Sequence, residues 1–448
     1  MKNDILELEI TDITPEGFGV GRSDGKVYFV ADTAVGDVAK CLVLKELKSH
    51  AFAKLLELVK PSKARTEPQC PVAKKCGGCS LQHILYSAEA ELKQNFVKQS
   101  FARIGNMDIL VNPTEIGAES KYRNKVQYPF GKGENGECVF GYYAKRSHRI
   151  IPHEQCLLQD NVFTQIGACC AEIANKSFLK PYDEATGKGV LRHIVMRKNR
   201  KGDILVCLVV TENHKKLLPL AEKLKAKFDC ITGIHININK RRDNVIFGTE
   251  TICLLGDKVL QDTLCGKTFN ISPTAFYQVN AEMAQRLYQK GKSLVSDKKG
   301  KVILDLYCGA GTIGICIANA EDKLCGVEII ESAVINAKEN AIINGRSEEN
   351  TLFVCGDAAI GVAECKKRFG DPYTIIVDPP RKGLDKEVIQ TVAEASPKEI
   401  LYISCDHATL ARDCAIFKEY GYTTCEATPF DLFPRTGHVE TIVCLRKQ

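Results

Sequence analysis

The stretch EILYISCDHATLARDC, residues 399–414, is an apolar, β-branched run that stops on Ser404, Cys405 and Asp406 before a helical pattern begins. No second cysteine lies close enough in sequence for a local disulfide or a C-x-x-C metal clip, so Cys405 is either a packing residue or a nucleophile. A lone cysteine at a strand end is more often packing. Its neighbour Asp406 does not favour a thiolate, since a carboxylate raises a thiol pKa. Activation must then come from Arg or Lys, from backbone donors or from a substrate.

Other strand ends carry chemistry too. LDLYCGAGTIG, residues 304–314, places Gly309 and Gly311 in a turn between a strand and a helix, where glycine lets a backbone approach a ligand. Glu328 ends the next strand, where a carboxylate can accept both ribose hydroxyls, and Asp357 ends the third, in CGDA. G-x-G without the third glycine of the dinucleotide fingerprint suits S-adenosylmethionine better than NAD. The bland alternative is that both acids are ordinary strand-end carboxylates. IIVDPPRKG, residues 375–383, adds Asp378, two prolines that end strand pairing, and Arg381 and Lys382 within reach of a phosphate.

These motifs place Cys405 in the same cleft as Asp378 and a methyl donor. Carbon 5 of uracil is a poor nucleophile, and a thiolate adding to carbon 6 turns it into an enolate able to take a methyl group. A base must then remove the proton on carbon 5, and the best candidate is Glu440 in GHVETIVCL, residues 437–445.

A second set of thiols is Cys70, Cys76 and Cys79 in CPVAKKCGGC, with Cys156 in HEQC. C-x5-C-x2-C plus a distant fourth cysteine can surround a zinc ion or an iron–sulfur cluster, and spacing alone does not choose between them. Basic residues gather in KYRNK (121–125), YYAKRSHR (142–149), RKNRKG (197–202) and NKRRDN (239–244). Cations beside aromatics suit RNA, whose phosphates want charge and whose unpaired bases want flat faces. Solvated hairpin tips are the plain alternative.

The chain that must position these groups has 448 residues, 44% of them apolar and 26% charged, which is enough for two or three cores. The start MKNDILELEI is unlike a signal peptide, and no run of about 18 apolar residues could span a bilayer. The expectation is a cytoplasmic protein with no membrane contact, in which most of the 21 cysteines are reduced and packed. Residues 1–60 read as short strands with turns and close best as a small barrel of the OB type. A Pro-, Lys- and Ser-rich boundary follows, then a helix over 81–105, then mixed strands and helices over 113–275. Beyond about 283, strands alternate regularly with helices, which implies α/β architecture with a doubly wound, Rossmann-like parallel sheet whose ligands sit at the carboxyl ends of the strands.

The residues resemble the RumA/TrmA-type RNA uracil-5-methyltransferase family, closest to its 23S rRNA (uracil-5-)-methyltransferase branch. EGFGVGRSDGKVYFV resembles an N-terminal TRAM domain, CPVAKKCGGCSLQH with HEQC the cluster ligands, and YRNKVQYP the central domain. SPTAFYQVN, DLYCGAGTIG, DPPRKG, SCDHATLARD and TGHVETIVCL resemble the catalytic domain. The resemblance implies an RNA-binding TRAM barrel over 1–60. It implies an α+β central domain over 61–80 and 113–275 with a [4Fe-4S] cluster on Cys70, Cys76, Cys79 and Cys156, and an S-adenosylmethionine-dependent catalytic domain over 81–112 and 276–448. By the same resemblance Gln278, Tyr307, Glu328 and Asp378 hold S-adenosyl-L-methionine, Asp357 and Thr312 assist, and Phe276 stacks on a flipped uracil. Cys405 is then the nucleophile and Glu440 the base, the product is 5-methyluridine in 23S rRNA, and the enzyme needs to be no more than a monomer. tRNA is the runner-up substrate, and a non-catalytic RNA-binding factor is the rival from another class. One departure stands out: His407 occupies a position where the family usually has proline, which alters the rigidity of the turn that carries Cys405.

Overall fold

The computed structural model describes residues 3–448. The strands Ile5–Ile13, Phe18–Ser23, Lys26–Ala31, Val38–Glu46 and His50–Lys60 form a closed five-stranded barrel, with the fifth strand inserted between the third and fourth. Its interior holds Leu8, Ile10, Tyr28, Val30, Cys41, Val43 and small alanines. The glycines of the second strand are there for lack of room: a Cβ on Gly19 would lie 2.0 Å from Thr33 Oγ1.

The middle of the chain builds a six-stranded sheet in the order Glu250–Gly256, Ile231–Ile238, Ile204–Val210, Leu191–Lys198, Lys125–Lys132, Cys138–Phe140. Helices Asn161–Lys176 and Leu217–Lys227 cover it. The strand ILVCLVV is buried at every position, as an unbroken apolar run in a covered sheet must be.

The third unit is a nine-stranded sheet. Five parallel strands run in the order Thr351–Cys355, Lys323–Glu328, Val302–Leu306, Thr374–Val377, Glu399–Ser404, with helices between them. Glu440–Lys447 then pairs antiparallel to Glu399–Ser404, and Glu426–Phe430 pairs on its other side. Separate apolar clusters fill the two faces, the doubly wound arrangement expected from the alternating pattern.

The units are interleaved. The helix found at Tyr86–Arg103 packs on His407–Glu419, and Leu110–Val111 adds a short strand to the edge of the nine-stranded sheet. Lys93 of that helix is fully buried, its ammonium 2.7 Å from both Glu89 Oε1 and Asp431 Oδ1. A buried ammonium survives only with such partners. The hairpin Leu260–Leu264 and Lys267–Ile271, which falls in the central domain by the sequence boundary at 275, packs instead with the nine-stranded unit. Leu264, Phe269 and Ile271 share its core, and the amides of Thr268 and Asn270 donate to the side chains of Asn344 and Asn340.

Candidate active site

The carboxyl ends of the parallel strands bring together most of the residues that the motifs single out. After Val302–Leu306 the chain turns through Tyr307 at φ +64°, Gly309 at φ +53° and Gly311 at φ +79°, and Gly311 caps the short helix that Thr312 opens. A non-glycine residue held at positive φ stores strain that the surroundings must impose. Nothing would meet a Cβ on Gly309 within 4 Å, so the turn borders open space. Glu328 braces it, Oε2 accepting from the Gly309 amide at 3.2 Å and Oε1 from that of Ile330 at 3.0 Å, which leaves each oxygen with acceptor capacity.

Asp378 follows its strand directly, and burial pushes its carboxyl up to about 7. Beneath it lies Asp305, which the sequence reading passed over. Its Oδ2 accepts from the Gly314 amide at 2.9 Å, its buried Oδ1 has no partner, and burial with repulsion from Asp378 and Glu328 lifts it to about 8. An acid inside an apolar strand one residue pair before a Gly-rich turn was the available signal. Asp305, Asp378 and Glu328 lie close enough for their charges to act on one another, with Asp305 fully buried.

Gln278 is buried, and its carbonyl accepts from Asn124 Nδ2 at 2.9 Å. Two residues earlier Phe276 is 71% exposed, an unusual place for a large apolar ring. Tyr307 is half-buried, and Thr312 lies beside the phenol of Tyr288. Asp357 is exposed and caps helix Ala358–Phe369 through the Ile360 amide at 2.9 Å, so its plain role is fully accounted for by the fold.

Cys405 and Glu440 meet across the antiparallel pair. The register runs from Glu399 opposite Arg446 to Ser404 opposite Thr441, so Cys405 follows the last paired residue of one strand, Glu440 opens the other, and the thiol feels the Glu440 charge. Glu440 is 4% exposed, and burial followed by repulsion from Asp378 raises its carboxyl to about 8. The Cys405 thiol is pushed up to about 12, first by burial and then by Glu440 and Asp378, while Arg381 pulls it down. Arg381, from the DPPRKG loop, also donates to His438 Nε2 at 3.3 Å. Asp406 is a helix cap, accepting from the amides of Ala408 and Thr409 at 3.0 and 2.9 Å. The thiol opens onto a cavity of about 420 Å³ whose walls come from three units: Pro15 and Glu16 of the barrel, residues 77–80 of the cysteine loop, and Arg381 with residues 436–439.

The thiols of Cys70, Cys76, Cys79 and Cys156 line a second cavity of about 420 Å³ together with Arg123, Lys125 and His153, and Cys79 stands in the wall of both cavities. Burial raises Cys76, Cys79 and Cys156, and the thiols feel one another's charge. The expectation of a formed metal centre needs correcting here. Among the described residues no three His, Cys, Asp or Glu side chains are gathered as one metal ion requires, so the thiols share a cavity without forming a closed ligand set. Two buried nitrogens without a hydrogen-bond partner, Arg123 Nε and His153 Nε2, belong to residues on the same walls.

The basic clusters also divide. Arg146, Arg149, Lys201, Arg241 and Arg242 are exposed. Arg197 instead turns inward and donates to the carbonyls of Ala275 and Tyr277, fixing the segment that carries Phe276 and Gln278. Lys125 is withdrawn from water far enough to lower its ammonium to about 7.

The sequence profile described as tRNA (uracil-5-)-methyltransferase matches residues 191–448, and that of the TRAM domain matches residues 1–56. An uncharacterized RNA methyltransferase of Clostridium acetobutylicum is 41% identical, with 100% of this chain and 98% of the relative covered. Another, of Listeria monocytogenes, is 38% identical over 99% of this chain and 98% of its own. Among solved structures, the Pyrococcus abyssi tRNA (uracil-54, C5)-methyltransferase in complex with S-adenosyl-L-homocysteine superposes with a TM-score of 0.78. It covers 98% of this chain and 100% of that one at 24% identity, a likeness of fold.

Proposed function

The chain belongs to the RNA uracil-5-methyltransferase family, and from that membership we propose that it methylates carbon 5 of a uridine in 23S rRNA through a covalent adduct on Cys405. The observation that carries the reading is the placement of Cys405 against Glu440 on neighbouring strand ends, beside Asp378 and the Gly-rich turn.

S-adenosylmethionine, when bound, supplies a methyl group made electrophilic by a sulfonium charge. Gln278, Tyr307, Glu328 and Asp378 are the residues assigned to hold it, with Thr312 and Asp357 in assistance. The open space at Gly309 and the acceptor capacity left on Glu328 suit the ribose hydroxyls of such a ligand. The uridine leaves its stack to reach the thiol, and exposed Phe276 offers the base a new face. Cys405 adds to carbon 6, carbon 5 takes the methyl group, and Glu440 removes the proton there so that the thiolate can be expelled. Burial holds both groups toward their protonated forms, and Arg381 is the cation that opposes this at each of them.

tRNA is the second reading, favoured by the description of the family profile. Incubation with methyl-labelled S-adenosylmethionine and separate unmodified 23S rRNA and tRNA, followed by nucleoside mass spectrometry, tests both. Label in 5-methyluridine from rRNA supports the first. Label from tRNA alone moves the substrate, and label from neither, with RNA still bound, favours a non-catalytic RNA-binding factor.

We further propose a [4Fe-4S] cluster on Cys70, Cys76, Cys79 and Cys156, as a staple of the central unit. Support comes from the shared cavity and from the unpartnered Arg123 Nε on its wall. Iron and acid-labile sulfide in anaerobically purified protein, lost in Cys76→Ser, test it. Zinc in their place overturns it.

A further inference from the structure

The outer wall of the barrel is aromatic where water would favour polar groups. On three adjacent strands the side chains facing away from the barrel core are Phe18, Phe29, His50 and Phe52, all half-buried, alternating with fully buried neighbours. Register explains the grouping: Phe29 lies opposite Val20 on one side and Phe52 on the other, and Val27 opposite His50. The rings touch as a set, Phe18 with Phe52 at 5.9 Å between centroids, Phe29 with Phe52 at 5.7 Å, and His50 with Phe29 and Phe52 at 5.4 and 5.5 Å. None of them supports the barrel interior, which alternating residues already fill.

Cations frame this surface. The Arg146 guanidinium sits over the Phe18 ring at 5.2 Å, Arg22 shares the row of Val27 and His50, and Lys54 follows Phe52 on the same face. Acids nearby are engaged, Asp32 with Lys145 and Glu46 with Lys26. The patch also continues from the catalytic cavity. Glu16 lines the cavity that holds Cys405, and Phe18 is two residues on, at most about 7 Å of chain. The linking loop is seated on the catalytic unit: Pro15 O fills the space where a Gly437 Cβ would be, and Ser80 packs against Gly17.

We propose that Phe18, Phe29, His50 and Phe52 form a stacking platform for unpaired nucleotides adjoining the target uridine in the RNA substrate. Rings framed by cations are what single-stranded RNA requires, because every base has a π-face and every linkage a charge. The proposal rests on RNA being the substrate, and adds that the segment beside the target is single-stranded and leaves the cavity over the barrel.

The chain contains no tryptophan, so Phe29→Trp installs a lone indole in the platform, excited at about 295 nm to pass over the 14 tyrosines. In the full-length protein, a single-stranded uridine oligonucleotide is expected to quench its emission, and a duplex of equal length is not. In parallel, kcat/KM is compared for a target RNA with and without a single-stranded extension. Wild type is expected to favour the extended RNA at least about tenfold, and in Phe29→Ala/Phe52→Ala, checked for an intact fold by thermal melting, that preference falls toward one. Equal quenching by duplex, no quenching, or an unchanged preference overturns the proposal. So does a shift in sedimentation of the double variant, which would make the face a contact between copies. If quenching occurs while no RNA is methylated, the platform stands and the catalytic reading fails.

Discussion

The hydroxyl of Ser100 is hydrogen-bonded to Nδ1 of His407 at 2.7 Å, joining the inserted helix to the turn that carries Cys405. The same imidazole stacks on Phe96 of that helix, 5.8 Å between centroids. His407 is the first residue of its helix, after the Asp406 cap, a position where proline is also well tolerated. Two different devices can therefore stiffen the turn: a fixed φ from proline, or an imidazole tethered to a neighbouring helix. Ser100→Ala is expected to slow adduct formation with a 5-fluorouridine RNA by up to about tenfold, the worth of one hydrogen bond. His407→Ala should do at least as much, and His407→Pro should recover most of the rate. Rapid-quench gel analysis reads the adduct; an unchanged rate in both alanine variants would show that the Asp406 cap alone holds the thiol.

The facing of Cys405 and Glu440 predicts opposite failures for their variants. Cys405→Ala should lower kcat by about 10⁴-fold or more while RNA binding persists, as expected when a nucleophile is removed. Glu440→Gln leaves addition and methyl transfer possible but blocks loss of the carbon 5 proton. It should accumulate a protein–RNA adduct that survives denaturing electrophoresis. Full activity in Cys405→Ala would falsify covalent catalysis, and lost turnover without adduct in Glu440→Gln would assign Glu440 another role.

Stability should fall with pH because of the same cleft. Glu440 titrates near 8 in the folded chain against 4.5 for an unperturbed glutamate, and Asp378 and Asp305 near 7 and 8 against 3.8. From about pH 4 to 8 the folded state thus holds protons that the unfolded chain has released, so its advantage shrinks as pH rises through that window. Urea unfolding should show lower stability at pH 9 than at pH 6 by several kcal/mol, about 1.4 for each pH unit over which a buried acid keeps its proton. Glu440→Gln, which has no proton to lose there, should be less sensitive to pH than wild type. Equal slopes in the two proteins would mean that Glu440 is already ionised near neutrality.

Strand-end residues were legible in the sequence because a parallel α/β pattern has only one edge at which ligands gather, and Glu328, Asp378 and Cys405 all close apolar runs. Glu440 was legible as the candidate base for Cys405, but the strand pairing that brings the two ends together was not: Glu440–Lys447 runs antiparallel to Glu399–Ser404, a register set by contacts 30 or more residues apart in the chain. Asp305 hid inside an apolar strand, where a single acid reads as a flaw in the pattern. Arg197 and Lys125 misled in the other direction, since a run of cations reads as a surface whether or not two of its members fold inward to hold the Gln278 segment and the thiol cavity.

Lys93 offers a test of how the inserted helix serves the base. Its ammonium holds Glu89 and Asp431 together in full burial, and the Arg435 amide donates to Glu89 Oε1 at 2.8 Å, five residues before Glu440. Glu89 Oε2 and Asp431 Oδ2 accept no hydrogen bond among the described residues, although the Arg435 guanidinium stands 3.6 Å from Glu89 Oε2, and burial raises both carboxyls even with Lys93 present. Lys93→Met keeps the length of the side chain and removes the charge, leaving two buried acids facing each other with Arg435 beside Glu89. A buried pair broken on one side costs about 3–5 kcal/mol. The loss should be largest above pH 7, where both acids would have to be ionised, and should shrink toward pH 5, where one can hold a proton. Lys93→Met combined with Asp431→Asn removes the repulsion and should regain part of the stability. Because the segment from Asp431 leads to Glu440, the single variant should also lower kcat more than it weakens RNA binding. Equal losses of stability at pH 5 and pH 8 would show that packing, and not charge, makes Lys93 necessary.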